Sequence, residues 1–324
     1  MANWKDLLSD EHNRHMERGK CHTMSYSSSH NNHNKEHPST YFVQDRSNKE
    51  ELQRLQIQDR LLTTAMGGVL PEQPDTLRFK RVLDIGCGPG GWLIDLARAY
   101  PDCQSLIGVD ISSRIVTYAR EQAARAQQPQ VEFLVMDALR MLEFPDAFFD
   151  LVNLRCGCSF MRTWDWPKLL EEMRRVCRAG GILRLTEPEL VTQSSSPALL
   201  LFNLYVQDAL ARAGHLFRSA PDGITAHLPR LLVQHAGRRI QVQTRSYSLV
   251  LRADTPEGQA FAQDVAYAGR TLRAFVAKWG GPSPDYDPLV QRMLEEVQRP
   301  DFSATWQLLT AWAVRDEGVS HEVF

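Results

Sequence analysis

Val82-Leu83-Asp84-Ile85-Gly86-Cys87-Gly88-Pro89-Gly90-Gly91-Trp92 is the stretch that decides the fold. An apolar run of single-strand length enters a glycine-rich turn, and helix-forming residues leave it. Glycine lets the backbone approach a ligand closely and take positive φ, which other side chains adopt only at a cost. The unpaired N–H groups that open the next helix favour an anionic group such as a carboxylate.

Outward from this turn, strand and helix signals alternate. Strands are predicted at Arg81–Ile85, Ser105–Asp110, Val131–Met136, Leu151–Leu154 and Ile182–Thr186. Helices are predicted at Trp92–Tyr100, Arg114–Ala126 and Lys168–Arg178, the last stopped by Gly180-Gly181. Such alternation argues for an α/β fold with a doubly wound, mainly parallel sheet. Trp164-Asp165-Trp166-Pro167 reads as a helix entrance, with proline early and Asp165 able to cap. Beyond Glu187 the pattern turns helical at Pro197–Ala213, Ala226–Ala236 and Glu257–Trp279, with Gly214 a C-cap. Two late strands, Ile240–Leu251 and Ala304–Val314, are expected to complete the sheet, with the inserted helices over its open end.

Before the turn, Glu50 to Met66 carries a helical apolar stripe that Gly67-Gly68 can stop, and Pro71 to Asp75 reads as a linker. The first 40 residues differ again: six of the ten histidines (His12, His15, His22, His30, His33 and His37) lie there among Ser and Asn. A metal site and a disordered polar tail are the two readings; the spacing repeats no helical or zinc pattern, which favours the tail. The expected divisions are a tail over 1–40, a helical lid over 41–75, a core over 76–190, and cap helices with the last strands over 191–324.

Composition bounds the function. Of 324 residues, 43% are hydrophobic and 23% charged, as in a globular protein with a sizeable core. A net charge of −2 gives no bulk attraction for nucleic acid. No apolar run approaches the roughly 20 residues that span a bilayer, and the first residues show no apolar leader, so a cytoplasmic protein is expected. The six cysteines sit mostly in apolar or glycine-rich segments and are expected as free thiols.

Taken alone, the glycines leave two families open. Gly86-x-Gly88-x-Gly90 fits a methyltransferase turn, and Gly86-x-Gly88-x-x-Gly91 a dinucleotide fingerprint. Asp84 stands two residues before the first glycine, where dinucleotide proteins usually keep an apolar residue, and Pro89 stiffens the turn. Asp84 to Gly90, including Cys87, resembles the first motif of the class I S-adenosylmethionine-dependent methyltransferases, especially the small-molecule branch with the ubiquinone and menaquinone C-methylating enzymes. The resemblance covers roughly residues 80 to 190. Gly108-Val109-Asp110-Ile111 resembles the second motif, whose acid holds the ribose hydroxyls. Met136-Asp137-Ala138 resembles the third, whose acid meets the adenine amine and whose next N–H meets the ring. Arg175-Val176-Cys177-Arg178-Ala179-Gly180-Gly181 resembles the family's Arg-Val-Leu-x-Pro-Gly-Gly turn, with Cys and Ala substituted. The resemblance implies a Rossmann-like fold and S-adenosyl-L-methionine as cofactor. Asp110 and Asp137 could equally be turn-forming strand ends, and Asp84 could orient the loop without touching the cofactor.

A sulfonium methyl is already activated, so alignment of donor and acceptor supplies most of the rate. A general base is needed only where the nucleophile must lose a proton. Asn153-Leu154-Arg155-Cys156-Gly157-Cys158 would face the donor, which makes Asn153 and Arg155 cofactor-side candidates. This segment lacks the Asn/Asp-Pro-Pro-aromatic motif of nucleic-acid amino-methyltransferases, so a small-molecule acceptor is expected, through O, N or C. Cys87, Cys156 and Cys158 raise an arsenite- or thiol-directed alternative; the plain reading is that cysteine packs well in tight turns. Tyr41, Arg54 and Gln58 resemble the lead-in of some natural-product methyltransferases, whose first helix closes over the methionine end. Candidate bases are Glu187, His215 and His227, with packing or capping as the competing role for both histidines. Leu199–Leu210 would line a pocket for a lipophilic acceptor or simply form core. The rivals to methyl transfer are a nicotinamide oxidoreductase, a non-catalytic scaffold, and a cofactor-binding fold that runs another reaction such as a cyclisation. The first helix could also exchange between subunits of an oligomer. No metal is expected in the site.

Overall fold

The computed structural model describes residues 39–43, 48–73, 79–235, 237, 240–280 and 285–316. The chain separates into two units, Met1–Lys35 and Glu36–Phe324. The first unit lies outside the described residues, as do all six histidines of the metal reading and residues 1–38 of the expected tail.

In the second unit, helix α1 (Lys49–Met66) leads into an alternating series: β1 (Arg81–Ile85), α2 (Gly91–Ala99), β2 (Ser105–Asp110), α3 (Ser113–Arg125), β3 (Val131–Val135), β4 (Phe149–Arg155), α4 (Trp166–Val176) and β5 (Cys177–Pro188). There follow β6 (Gln193–Ser194), α5 (Pro197–Arg212), α6 (Leu228–His235), β7 (Val242–Arg252), α7 (Pro256–Thr271), α8 (Arg273–Trp279), α9 (Tyr286–Val297) and β8 (Ser303–Val314). The sheet runs β3-β2-β1-β4-β5-β8, with β7 on the far side of β8 and the short β6 continuing on the β5 side. β1 to β5 are mutually parallel, and among the described strands β8 alone runs against the others. This is the Rossmann-like, mainly parallel arrangement that the alternating pattern predicts.

The central strands are covered on both faces, which is why they read as unbroken apolar runs. Val82, Leu83, Ile85, Leu151, Val152, Leu154, Ile182, Leu183 and Leu185 are all buried. On α4, Trp166, Leu169, Leu170, Met173 and Val176 share one face, and all five are buried. Full burial of such side chains contributes roughly 1.5–3 kcal/mol each.

Several local expectations need correction. Gly180-Gly181 does not stop a helix: α4 ends at Val176 and both glycines lie in β5. Pairing with β4 shifts register between Phe149 and Leu151, and the glycines absorb the irregularity, Gly180 at φ +70°. Glu257–Trp279 divides at Leu272 into α7 and α8. The Ala226–Ala236 segment opens with a 3₁₀ turn at Thr225–His227, and Ala236 lies outside the described residues. Asp165 does not cap α4; its carboxylate accepts the Arg162 N–H at 2.9 Å. Pro71 to Asp75 is more than a linker, because Glu72 is buried. Helix α9, not read from the sequence, buries Tyr286, Leu289, Met293 and Val297 against α5 and α7. Its Pro288 sits in the first turn, where a helix tolerates it.

The inserted helices build a cap. α5 packs on α8 and α9, and α7 packs on α1 and β7. Leu199, Phe202, Ala209 and Leu210 are buried, Leu201 and Leu204 are exposed, and none of the Leu199–Leu210 stretch lines the cavity described next, so one face of α5 is core.

Candidate active site

The strand order reverses at β1, whose neighbours β2 and β4 lead to crossovers on opposite faces. A crevice therefore opens beyond the carboxyl ends of these strands. There lies a cavity of about 190 Å³, floored by the turn after β1 and the ends of β2 and β3, and walled by α1 and residues 39–41.

The turn has three positive-φ glycines, Gly86 (+64°), Gly88 (+53°) and Gly90 (+82°). Side chains on the outer two would strike packed rings: Phe160 stands 2.8 Å from a Cβ at Gly86, and Phe133 Cε1 2.8 Å from one at Gly90. A Cβ at Gly88 would meet nothing within 4 Å, since it would project into the cavity that Gly88 lines. The turn is tied to the neighbouring strand: Cys87 N–H donates to the Val109 carbonyl at 3.0 Å, and Gly88 N–H to Asp110 Oδ2 at 3.2 Å. Asp110 Oδ1 also accepts the Ser112 N–H at 2.9 Å, and Ser112 caps α3. At the end of β3, Asp137 Oδ1 accepts the Leu139 N–H at 3.0 Å, a local turn that holds the carboxylate at the rim.

Of the residues named from the sequence, Tyr41, Gly86, Gly88, Asp110, Ile111, Asp137, Ala138 and Arg155 line this cavity. Asp84, Cys87, Gly90 and Asn153 lie behind it. Asp84, Asn153 and Arg184 occupy matched positions on β1, β4 and β5, so they share one face of the sheet. Asn153 Nδ2 donates to Asp84 at 2.7 Å, and Arg184 Nη1 donates to Asn153 Oδ1 at 2.7 Å. Arg184 Nε reaches Glu72 at 2.6 Å, and the Tyr247 hydroxyl donates to Glu72 at 3.2 Å. Burial pushes the Asp84 carboxyl up to about 7, against the pull of Arg155 and the Asn153 hydrogen bond. Beside Arg184, the Glu72 carboxyl is held below its ordinary range despite burial.

None of the three candidate bases lines the cavity. Glu187 is wholly buried and turns back beneath the turn that follows β4, accepting the N–H groups of Gly157 at 2.5 Å and Cys158 at 3.3 Å. Burial raises its carboxyl to about 7. His215 is buried, with Nδ1 2.8 Å from the Cys158 carbonyl, and burial lowers its basicity. His227 stacks on Phe217 with ring centroids 4.7 Å apart. Cys156 does line the cavity, at φ +55°, but burial pushes its thiol up to about 12; the Cys87 and Cys158 thiols are also raised by burial. All three are thus held as thiols, the weak form for metalloid or nucleophilic chemistry. Among the described residues, no group of three or more His, Cys, Asp or Glu is arranged to hold a metal ion.

Sequence reasoning named Arg54 and Gln58 of α1, and both line the cavity, but it missed the carboxylates beside them. Glu51 and Arg54 line the cavity; Arg54 donates to Glu51 at 2.9 Å and 2.8 Å, and the Tyr41 hydroxyl is hydrogen-bonded to Glu51. Asp264 of α7 backs Arg54 at 3.7 Å. Farther along α1, Asp59 forms an ion pair with Arg155, whose Nη1 is buried without a hydrogen-bond partner among the described residues. The residue chain 39–43 is fastened across the mouth by Phe42 N–H to the Ser159 carbonyl at 3.1 Å.

Residues 82–181 match a family model described as a methyltransferase domain. A demethylmenaquinone methyltransferase of Shouchella clausii is 27% identical over 150 residues, 45% of this chain and 60% of that protein. One from Bacillus cereus is 29% identical over 141 residues, 42% of this chain and 56% of its own length. The chain thus spans less than two thirds of the curated relatives it matches. The structure of Haemonchus contortus phosphoethanolamine N-methyltransferase 2 in complex with S-adenosyl-L-methionine covers 85% of this chain and 59% of its own, at 19% identity and a TM-score of 0.50, a likeness of fold. Strand order, glycine turn and family match agree on one point: residues 82–181 are similar to a methyltransferase domain.

Proposed function

We propose that this protein transfers the methyl group of S-adenosyl-L-methionine to a small-molecule acceptor through an O, N or C nucleophile. The observation that carries the reading is Gly88: it opens on the cavity at the strand-order reversal, and its N–H is fixed by Asp110. The residues present fit such a donor. The space above Gly88 admits a ligand backbone-close, and the orphaned Arg155 Nη1 is a donor in need of an anion. In this reading Asp110 takes the ribose hydroxyls with Ile111 beside them, and Asp137 and Ala138 take the adenine. Gly86 and Gly88 lie under the sulfur side, while Tyr41 and Arg155 serve the amino-acid end. Asp84, Cys87, Gly90 and Asn153 hold the turn from behind.

Bound there, the donor supplies an activated sulfonium methyl; the chain's task is to align, enclose and exclude water. Residues 41–75 act as the lid, 76–190 as the core, and 191–324 as cap and closing strands. The relatives named for demethylmenaquinone support a quinol-type acceptor as the first to test, as do Leu52, Leu55, Ile115, Leu139 and Phe160 around the cavity. Glu187, His215 and His227 serve the scaffold in this reading.

The test is calorimetric titration with S-adenosylmethionine, S-adenosylhomocysteine and NAD, repeated on Asp110→Ala. Micromolar binding of the adenosyl ligands, lost in the variant, is expected. Binding of NAD alone, or of none, would overturn the reading.

A further inference from the structure

Free N–H groups at the start of α2 are a seat for a ligand carboxylate, yet the chain has placed one of its own there. A Cβ on Gly91, the first residue of α2, would collide with Asp59 Oδ2. Negative charge is favoured at that point by the helix dipole and the unpaired donors. Asp59 Oδ1 is ion-paired with Arg155 Nη2, and the two side chains are only 13% and 11% exposed. Arg155 and Gln58 line the cavity, and Asp59, which follows Gln58 in sequence, stands just behind this lining on its ion pair with Arg155. The Arg155 Cζ lies 5.6 Å from the Trp92 ring, which holds the guanidinium in place, while Nη1 is buried with no hydrogen-bond partner among the described residues. The result is a paired carboxylate and guanidinium in which one guanidinium nitrogen is engaged by Asp59 and another has no partner among the described residues.

A second carboxylate brought to the α2 start would meet Asp59 as a like charge. A zwitterion in the opposite sense would not: its ammonium beside Asp59 and its carboxylate beside Arg155 make an alternating ring of four charges, each next to its opposite. Resting on the donor reading above, we propose that Asp59 and Arg155 together read the amino-acid end of the donor, Asp59 receiving the ammonium and Arg155 Nη1 the carboxylate. Asp59 is thereby a donor-binding residue supplied by the lid helix, so that closure of α1 and recognition of the amino-acid end are one event.

The experiment is calorimetry on the full chain with three probes: S-adenosylhomocysteine, its analogue lacking the α-amino group, and 5′-methylthioadenosine, which lacks the amino-acid end. Asp59→Asn is expected to weaken S-adenosylhomocysteine by about 10- to 100-fold, the loss of one charge-assisted hydrogen bond, and to leave the other two probes unchanged. Arg155→Met is expected to weaken the first two probes and spare the third. If Asp59→Asn tightens S-adenosylhomocysteine, Asp59 is a tethered competitor for the anion seat and the proposal falls. An equal loss for all three probes also overturns it, leaving Asp59 a packing role in the lid; melting curves of both variants separate this from misfolding. Wild-type protein that binds none of the probes removes the donor reading itself, and the proposal with it.

Discussion

A Cβ added at Gly90 would lie 2.8 Å from Phe133 Cε1, while one at Gly88 would meet no atom within 4 Å. Both glycines have positive φ, so the two alanine variants separate backbone strain from steric conflict. Gly90→Ala should lose about 2–4 kcal/mol, combining overpacking with the left-handed penalty. Gly88→Ala should lose only about 1–2 kcal/mol, yet its methyl would fill the ligand's space and abolish S-adenosylhomocysteine binding. Urea midpoints and calorimetry on the pair check both claims. That glycines were needed here was legible in the sequence, because a strand running into a glycine turn is a local pattern. Which glycine faces a ligand was not, because Phe133 and Phe160 reach the turn from distant segments. Asp110 and Asp137 were legible as acids at strand ends, whereas nothing local in the sequence sets Asp59 and Glu51 apart from other charges on the same helix. Glu187 shows the remaining limit: its place at a strand end is written locally, but the backward turn of its carboxylate to Gly157 and Cys158 is not.

The row Asp84–Asn153–Arg184 is made by three parallel strands in register, and the loop after α1 completes it with Glu72. Arg184 is wholly buried, so its charge is tolerable only while that carboxylate answers it. Glu72→Ala should therefore cost about 3–5 kcal/mol, read as a lower denaturant midpoint. Polar residues inside the β4 and β5 runs were visible in the sequence; their shared register, which turns them into one network, was not. Glu187 makes a pH-dependent claim about the turn after β4. Its folded-state carboxyl titrates at about 7, above the ordinary 4.5, so the folded chain holds a proton that the unfolded chain has released. Its contribution is present below pH 4.5 and is lost as pH rises towards 7, at about 1 kcal/mol per pH unit. Wild-type stability should thus fall between pH 5.5 and 7.5 more steeply than that of Glu187→Gln. Melts of the two proteins across this range measure the difference.

Because the cavity is assembled from strand ends, the lid helix and residues 39–41, a ligand that fills it couples to unfolding of the entire unit. At a hundred times its dissociation constant, S-adenosylhomocysteine should add about 2.7 kcal/mol and raise the melting temperature by several degrees; NAD should leave it unchanged. Scanning fluorimetry with both ligands reads this directly. The order of strands and helices from β1 to β5 was written plainly in the sequence, since parallel strands covered on both faces alternate with amphipathic helices. The later half was less legible: the broken helix at Leu272 and the proline-flanked α9 depend on packing within the cap. Strand β8 has a consequence for how the chain acquires its shape on the ribosome. It is wedged between β5 and β7, its two main partners, and pairs with both along most of its length. Synthesis delivers both partners before the strand that joins them. At about 5–20 residues per second, β5 waits many seconds with one edge unsatisfied, and β7 emerges before the strand it pairs with. A nascent chain that has made β1 to β5 is thus a sticky half-sheet, open to a second copy or to a chaperone, until residues 303–314 slide in and seal it.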